Sequence, residues 1–169
     1  MCSSIIFSPK DHYFGRNLDL EITFGQQVII TPRDYVFKFR DMPEIDHHYA
    51  MVGIALNAGG YPLYFDAANE KGLGMGGLNY PDNAIYYDVK EGKDNIASFE
   101  FIPWILSQAA TVEEAKKLLA KISTSLRRTS ATRCMYPHFT GSSQIKLVLL
   151  LLLKLTQTVC TFTTTLSAA

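Results

Sequence analysis

MCSSIIF, residues 1–7, places a cysteine directly after the initiator methionine and follows it with a short β-branched and aromatic stretch. Removal of the methionine would give Cys2 both a thiol and a free α-amino group. An ordinary thiol has a pKa of about 8.5 and an α-amine a pKa of about 7.7 to 8.0, so the amine can exchange protons near neutral pH without a histidine. The segment therefore predicts an N-terminal cysteine nucleophile. The alternative is an early residue in a frayed chain end.

A second segment, FGRNLDLE at residues 14–21, carries an arginine and an aspartate shortly after a turn that can return them to the chain start. A guanidinium from Arg16 beside the thiol would favour the thiolate, and the carboxylate of Asp19 would hold and orient the ammonium form of the amine. The alternative is a solvated salt bridge on a surface hairpin.

A third segment, NEKGLGMGGLNYP at residues 69–81, is rich in glycine and leads to an asparagine. It lacks the spacing and the Lys-Ser/Thr ending of a phosphate-binding loop. The side-chain N–H of Asn79 can stabilise an oxygen that becomes negative during nucleophilic attack, so we interpret Asn79 as an oxyanion-hole donor. The alternative is a strand of small residues packed beneath another layer.

The composition argues against several classes of function. The chain has 169 residues, 47% of them hydrophobic, which suits one domain with a real core. Its 16 basic and 16 acidic residues cancel, so we expect no nucleic-acid partner and no membrane partner. The three cysteines have neither disulfide-framework nor zinc-ligand spacing. No signal peptide is evident and the apolar run at 147–153 is too short to span a bilayer, so we expect a cytoplasmic protein.

The first 121 residues have the pattern of an α+β protein. Strand-like segments occur at 3–8, 28–31, 35–39 and 49–56, and a turn at 32–34 predicts a hairpin between the second and third of these. Helical spacing follows at 98–109. Thr111 stands three residues before Glu114 as in a capping box, which predicts a further helix through Lys121.

Residues 122–169 differ sharply from the rest of the chain. All 16 acidic residues lie in 1–121, whereas the 48 residues of the tail include 16 serines and threonines and a run of leucines. Codon degeneracy permits a shifted reading frame in which 135–141 give VSPLHW and 158–168 give GLHVYDNPVG. We therefore divide the chain into a domain portion at 1–121 and an aberrant, frameshifted tail at 122–169.

The three segments, together with ITPRDYVFKFR, YPLYFDAANE and ASFEFIPWIL, closely resemble the choloylglycine hydrolase family, which contains bile salt hydrolases and penicillin V acylases. The resemblance extends from residue 1 to about residue 121 and is nearest to the bile salt hydrolases of lactobacilli. It implies the N-terminal part of a four-layer αββα N-terminal-nucleophile hydrolase fold, incomplete in this chain. It also implies that Cys2 is the nucleophile, Arg16 and Asp19 its supporting charges, and Asn79 an oxyanion-hole residue.

The resemblance further implies a small-molecule substrate, a glycine- or taurine-conjugated bile salt, cleaved through a thioester without a metal or organic cofactor. Its full-length members are commonly homo-oligomers and supply a further asparagine and arginine from a region beyond this sequence. Four residues are either neighbours of the steroid or plain core residues: Leu20, Phe24, Phe65 and Ala68. Two alternatives are a penicillin V acylase and a non-catalytic, truncated product of a bile salt hydrolase gene.

Overall fold

The computed structural model describes residues 3–7, 9–11, 13–19, 22–77, 89, 91–92, 94–127 and 153–154. These residues form a mixed arrangement of strands and helices. The strands are β1 (Ser3–Phe7), β2 (Tyr13–Asn17), β3 (Gln27–Thr31), β4 (Met51–Ala58), β5 (Tyr61–Asn69), β6 (Leu73–Gly76), β7 (Asp94–Ala97), β8 (Ile122–Arg127) and β9 (Leu153–Lys154). The helices are α1 (Phe101–Gln108), which a 3₁₀ turn at Ser98–Glu100 precedes, and α2 (Val112–Lys121).

A five-stranded antiparallel sheet in the order β3-β4-β5-β6-β9 is the centre of the described structure. Strands β1 and β2 form an antiparallel pair, and β7 and β8 a parallel pair. Alternation along β4 and β5 turns one face of the central sheet toward the helices. That face and the helices form the core, whose largest fully buried apolar side chains include Phe37, Leu73, Met75, Ile105 and Leu106.

The buried side chain of Asn69 joins the end of β5 to the end of α1. Its Nδ2 donates to the carbonyl oxygens of Leu106 and Ala109, both at 2.8 Å. Its Oδ1 accepts from the backbone N–H of Lys71 at 3.1 Å and from that of Leu73 at 3.0 Å. A single amide therefore satisfies two carbonyls at the carboxyl end of the helix and shapes the turn into β6.

The opposite face of the central sheet meets the β1–β2 pair. A Cβ added at Gly76 would lie 3.2 Å from Cζ of Phe14 and 3.9 Å from Cδ of Arg16, so glycine allows β2 to approach β6 closely. Apolar side chains on β3 and β4 remain exposed on this face of the described structure, among them Ile30 at 72% and Val28 at 66%.

Most of the predicted elements are confirmed. Strand β1 coincides with the segment 3–8 within one residue, and β3 and β4 overlap 28–31 and 49–56. Helix α1 and its 3₁₀ turn occupy 98–108, and α2 begins after Thr111. Thr111 Oγ1 accepts from the Glu114 N–H at 3.1 Å, whereas the Glu114 carboxylate accepts from Ala110 N–H at 2.7 Å, one residue earlier than the capping box requires.

The predicted strand at 35–39 is wrong. This segment forms only an isolated bridge between Phe37 and Ile45, because β3 pairs with β4 and not with the residues after the 32–34 turn. Phe37 and Phe39 are buried and stack with ring centroids 5.9 Å apart. The aromatic alternation therefore reflects packing into the core and not a hairpin with β3.

We predict that Asn69→Asp lowers the free energy of unfolding by at least about 2 kcal/mol, because a carboxylate cannot donate to the carbonyls of Leu106 and Ala109. Urea denaturation followed by circular dichroism measures the loss. Asn57→Asp is the matched control, since exposed Asn57 only accepts a hydrogen bond, from the Gly60 N–H at 2.8 Å, which aspartate retains. Its stability should change by no more than about 0.5 kcal/mol. Equal losses in the two variants would contradict this role of Asn69.

Candidate active site

The guanidinium of Arg16 is enclosed between β2 and the central sheet. Its side chain is only 5% exposed, and Nη1 donates to Oδ2 of Asp66 at 3.0 Å. Nη2 donates to the carbonyl oxygen of Gly77. A cation removed from water needs such partners to replace its lost hydration, so these bonds fix where the positive charge lies.

The carboxylate of Asp66 is itself anchored to two strands. Asp66 lies within β5, with its side chain 18% exposed, and its Oδ1 accepts from the backbone N–H of Ile54 at 3.3 Å. The register of β4 and β5 shifts between Ile54 and Ala55, beside this bond. A β-bulge changes the direction of nearby side chains, and here Oδ2 of Asp66 points to Arg16.

Arg16 contacts residues that are close in sequence to Cys2 and to Asn79, the predicted nucleophile and the predicted oxyanion-hole donor. In the β1–β2 register Arg16 stands opposite Ser4 and Asn17 opposite Ser3, which directly follows Cys2 in the sequence. Gly77, the acceptor for Nη2 of Arg16, precedes Asn79 by two residues. Cys2 and Asn79 themselves lie outside the described residues. The structure thus brings the three sequence segments together through the neighbours of these two residues.

The remaining predicted residues lie on β5 or in the segment that follows β2. Asp19 is exposed, two residues after the end of β2. Phe24 is half-buried in the loop at 22–26, where its backbone N–H donates to Oε1 of Gln26 at 2.9 Å. Phe65 is buried and Ala68 half-buried, both on β5. Leu20 lies outside the described residues.

Sequence reasoning did not identify Asp66 and Gly77 as partners of Arg16. The signal for Asp66 was present, because an acidic residue inside the apolar run YPLYFDAA must find a partner when the strand is buried. Gly77 contributes only its carbonyl oxygen, which the identity of a side chain does not reveal. Leu73–Gly76 form the buried strand β6, as in the alternative interpretation of the glycine-rich segment.

A cavity of about 640 Å³ lies where β3 and β5 end and β4 begins, and none of the predicted site residues lines it. Arg33 donates to both carboxylate oxygens of Glu70 from Nε at 2.9 Å, and this bonding lowers the pKa of Glu70 to about 2. The residues that line the cavity are Arg33, His47, His48, Tyr49, Glu70, Lys71, Ser107 and Gln108.

The described residues contain neither a metal-binding cluster nor a membrane-spanning helix. Within them, His, Cys, Asp and Glu side chains form no group of three or more that is placed to hold a metal ion. None of the helices in the described part of the chain has the length and apolar character needed to cross a membrane.

The sequence is similar to characterised bile acid hydrolases. It is 46% identical over 123 residues to the bile salt hydrolase/transferase of Lactiplantibacillus plantarum, covering 73% of this chain and 38% of the relative. It is 37% identical over 126 residues to the conjugated bile acid hydrolase of Lactobacillus gasseri, covering 73% of this chain and 40% of the relative. The chain therefore spans well under half the length of these relatives.

Solved structures show the same architecture. The crystal structure of the C2A mutant of the conjugated bile acid hydrolase from Clostridium perfringens matches with a TM-score of 0.66 at 35% identity, over 73% of this chain and 39% of that chain. Penicillin V acylase from Agrobacterium tumefaciens matches with a TM-score of 0.60 at 20% identity, over 76% of this chain and 40% of that chain, which shows the fold alone. The predicted fold class, the N-terminal part of an α+β N-terminal-nucleophile hydrolase, is confirmed.

The family model described as linear amide C–N hydrolases, choloylglycine hydrolase family, matches residues 2–142. This match covers most of the chain, includes all three segments that meet around Arg16, and agrees with the relatives and the structures. The resemblance predicted from those segments is confirmed, and the protein belongs to the choloylglycine hydrolase family.

Proposed function

We propose that the protein is an amide hydrolase of the bile salt hydrolase type, which cleaves glycine- or taurine-conjugated bile salts with Cys2 as nucleophile. The observation that carries the proposal is the position of Arg16. This residue pairs with Ser4, two residues after Cys2, and bonds to Gly77, two residues before Asn79. A nucleophile, a fixed positive charge and an amide donor from three separate segments are what amide cleavage by a thiolate needs.

In the proposed reaction the Cys2 thiolate attacks the carbonyl carbon of the amide and forms a tetrahedral intermediate. The side-chain N–H of Asn79 stabilises the negative oxygen that develops. The C–N bond then breaks, and the protonated α-amine of Cys2 delivers a proton to the departing glycine or taurine nitrogen. Water attacks the carbonyl carbon of the resulting thioester, and the amine takes up one proton from that water. The C–S bond then breaks, which releases the bile acid and restores the Cys2 thiolate.

Two charged residues are proposed to prepare the nucleophile. Arg16, the register partner of Ser4, supplies a positive charge that favours the Cys2 thiolate over the thiol. Asp19, exposed after β2, orients the ammonium group of the N-terminus. No metal or organic cofactor enters these steps.

Conjugated bile salts are favoured as substrates because the two relatives described above are a bile salt hydrolase/transferase and a conjugated bile acid hydrolase. We propose that Leu20, Phe24, Phe65 and Ala68 contact the steroid. Hydrolysis of the side-chain amide of penicillin V is the second candidate, supported by a likeness that shows the fold alone. A non-catalytic, truncated product of a bile salt hydrolase gene is the third, supported by the composition of residues 122–169, which contain no acidic residue. We also propose a cytoplasmic location, no nucleic-acid or membrane partner, and homo-oligomers for full-length members.

The boundary between the domain portion at 1–121 and the tail at 122–169 stays part of this proposal. The backbone of 122–127 forms β8 beside β7, and 153–154 form β9 beside β6. We propose that the tail arises from a shifted reading frame. Sequencing the gene tests this directly, because a codon junction incompatible with VSPLHW or GLHVYDNPVG removes the support.

We predict that a frame-restored protein releases glycine or taurine from glycocholate or taurocholate faster than it cleaves phenoxymethyl penicillin, and that the 169-residue chain shows little release. Amine release measured with ninhydrin compares the two proteins and the three substrates. Cys2→Ser should lose nearly all hydrolysis, because a hydroxyl is far less ionised than a thiol near neutral pH. Undiminished turnover by Cys2→Ser would contradict the nucleophile, and faster cleavage of the penicillin would contradict the substrate class.

We predict that Asn79→Ala in the frame-restored protein lowers kcat, on the order of 10² to 10³, because an oxyanion donor acts on charge that develops during attack. Steady-state kinetics with taurocholate separate kcat from KM. Asn57→Ala is the control, since Asn57 lies exposed near the end of β4. A rise in KM with kcat unchanged would make Asn79 a binding residue instead.

A further inference from the structure

We propose that Asp66 is a positioning residue of this active site, which holds the Arg16 guanidinium where it can favour the Cys2 thiolate. The inference deepens the proposed function and rests on it for the identity of Cys2 as nucleophile. Asp66 is not proposed to touch the substrate. It acts through Arg16 alone.

The first argument is the geometry of the guanidinium. Arg16 has two terminal nitrogens, of which Nη1 bonds to Oδ2 of Asp66 at 3.0 Å and Nη2 to the carbonyl oxygen of Gly77. The Gly77 bond is made to a backbone oxygen, whereas the Asp66 bond is made to a side chain that a substitution can change. Because guanidinium is planar, two acceptors on different nitrogens define its plane as well as its position.

The second argument is that Asp66 is itself immobilised. Its Oδ1 accepts from the Ile54 N–H at 3.3 Å, and its backbone belongs to β5, which is paired on both sides by β4 and β6. The carboxylate of Asp66 is therefore fixed by the bond to Oδ1 and by the pairing of β5, and its Oδ2 is held in place for Arg16. An acceptor on a rigid element holds a catalytic group more accurately than one on a loop.

The third argument separates positioning from a purely electrostatic effect. A carboxylate near a thiol raises the pKa of that thiol, so removal of the Asp66 charge by itself would favour the thiolate. If Asp66 instead holds Arg16 in place, its loss lets the guanidinium move and the thiolate becomes less favoured. The two roles predict pH profiles that shift in opposite directions.

The test is the pH dependence of Cys2 alkylation by iodoacetamide in the 169-residue chain, with the modified N-terminal peptide quantified by mass spectrometry. The unsubstituted chain should show a midpoint below the ordinary thiol value of about 8.5. Asp66→Asn keeps the size of the side chain and an acceptor for Ile54 N–H, and its midpoint should rise by up to about one pH unit. In an Arg16→Leu background the same substitution should produce no rise.

Controls distinguish the proposal from loss of structure and from failure of the proposed reaction. Circular dichroism reports whether the helix content of the protein persists. If Asp66→Asn unfolds, Asp66→Glu replaces it, and its midpoint should shift in the same direction by a smaller amount. Glu70→Gln is the matched control, because it weakens another arginine–carboxylate pair next to β5 and should leave the midpoint unchanged. The alkylation assay uses no bile salt, so its outcome is independent of the substrate class.

An unchanged or lower midpoint in folded Asp66→Asn would overturn the proposal. A rise of the same size in the Arg16→Leu background would do so as well, because Asp66 would then not act through Arg16. A midpoint in the unsubstituted chain that Arg16→Leu does not move would remove the role of Arg16 and the positioning role of Asp66 with it.

Discussion

The enclosure of the Arg16 guanidinium between two sheets is the constraint on which the described site depends. An arginine that is 5% exposed must find acceptors within the protein, because the loss of hydration of a cation costs several kcal/mol. Asp66 and Gly77 supply those acceptors from two different parts of the central sheet. The same bonds that satisfy the charge therefore also set how β2 lies against β5 and the end of β6.

The glycine-rich segment at 69–81 includes a position where another strand approaches its backbone closely. Gly76 lets Phe14 and Arg16 of β2 approach β6. Asn69, at the start of the segment, holds the other face of the sheet to the end of α1. One short stretch of sequence thus contacts the helical layer through Asn69 and the β1–β2 pair through Gly76.

Local patterns in the sequence predicted the elements whose signals are local. The alternation of β3 and β4, the capping threonine of α2 and the helical spacing of α1 each depend on a few neighbouring residues. The segment 35–39 failed because alternation reports burial and does not name the pairing partner, and here Phe37 and Phe39 pack into the core without a ladder.

The site could be predicted only in part, for a similar reason. Chemistry at the chain start pointed to Cys2, and the resemblance supplied roles for Arg16, Asp19 and Asn79. The bonds that hold Arg16 join residues separated by 50 and 61 positions, and no spacing rule reaches that far. For Asp66 the sequence did offer an indication, because a charged residue stands within an apolar strand. The role of the Gly77 carbonyl oxygen has no signal in the sequence, because every residue carries such an oxygen.

The most direct test of this account is the heteronuclear NMR spectrum of the arginine side chains. A guanidinium held by Asp66 and Gly77 cannot rotate freely, so Arg16, assigned by its loss in Arg16→Lys, should show separate signals for Nη1 and Nη2. Exposed Arg40 serves as the internal comparison and should show a single averaged signal. An averaged signal for Arg16, like that of Arg40, would contradict the claim that this guanidinium is fixed between the sheets.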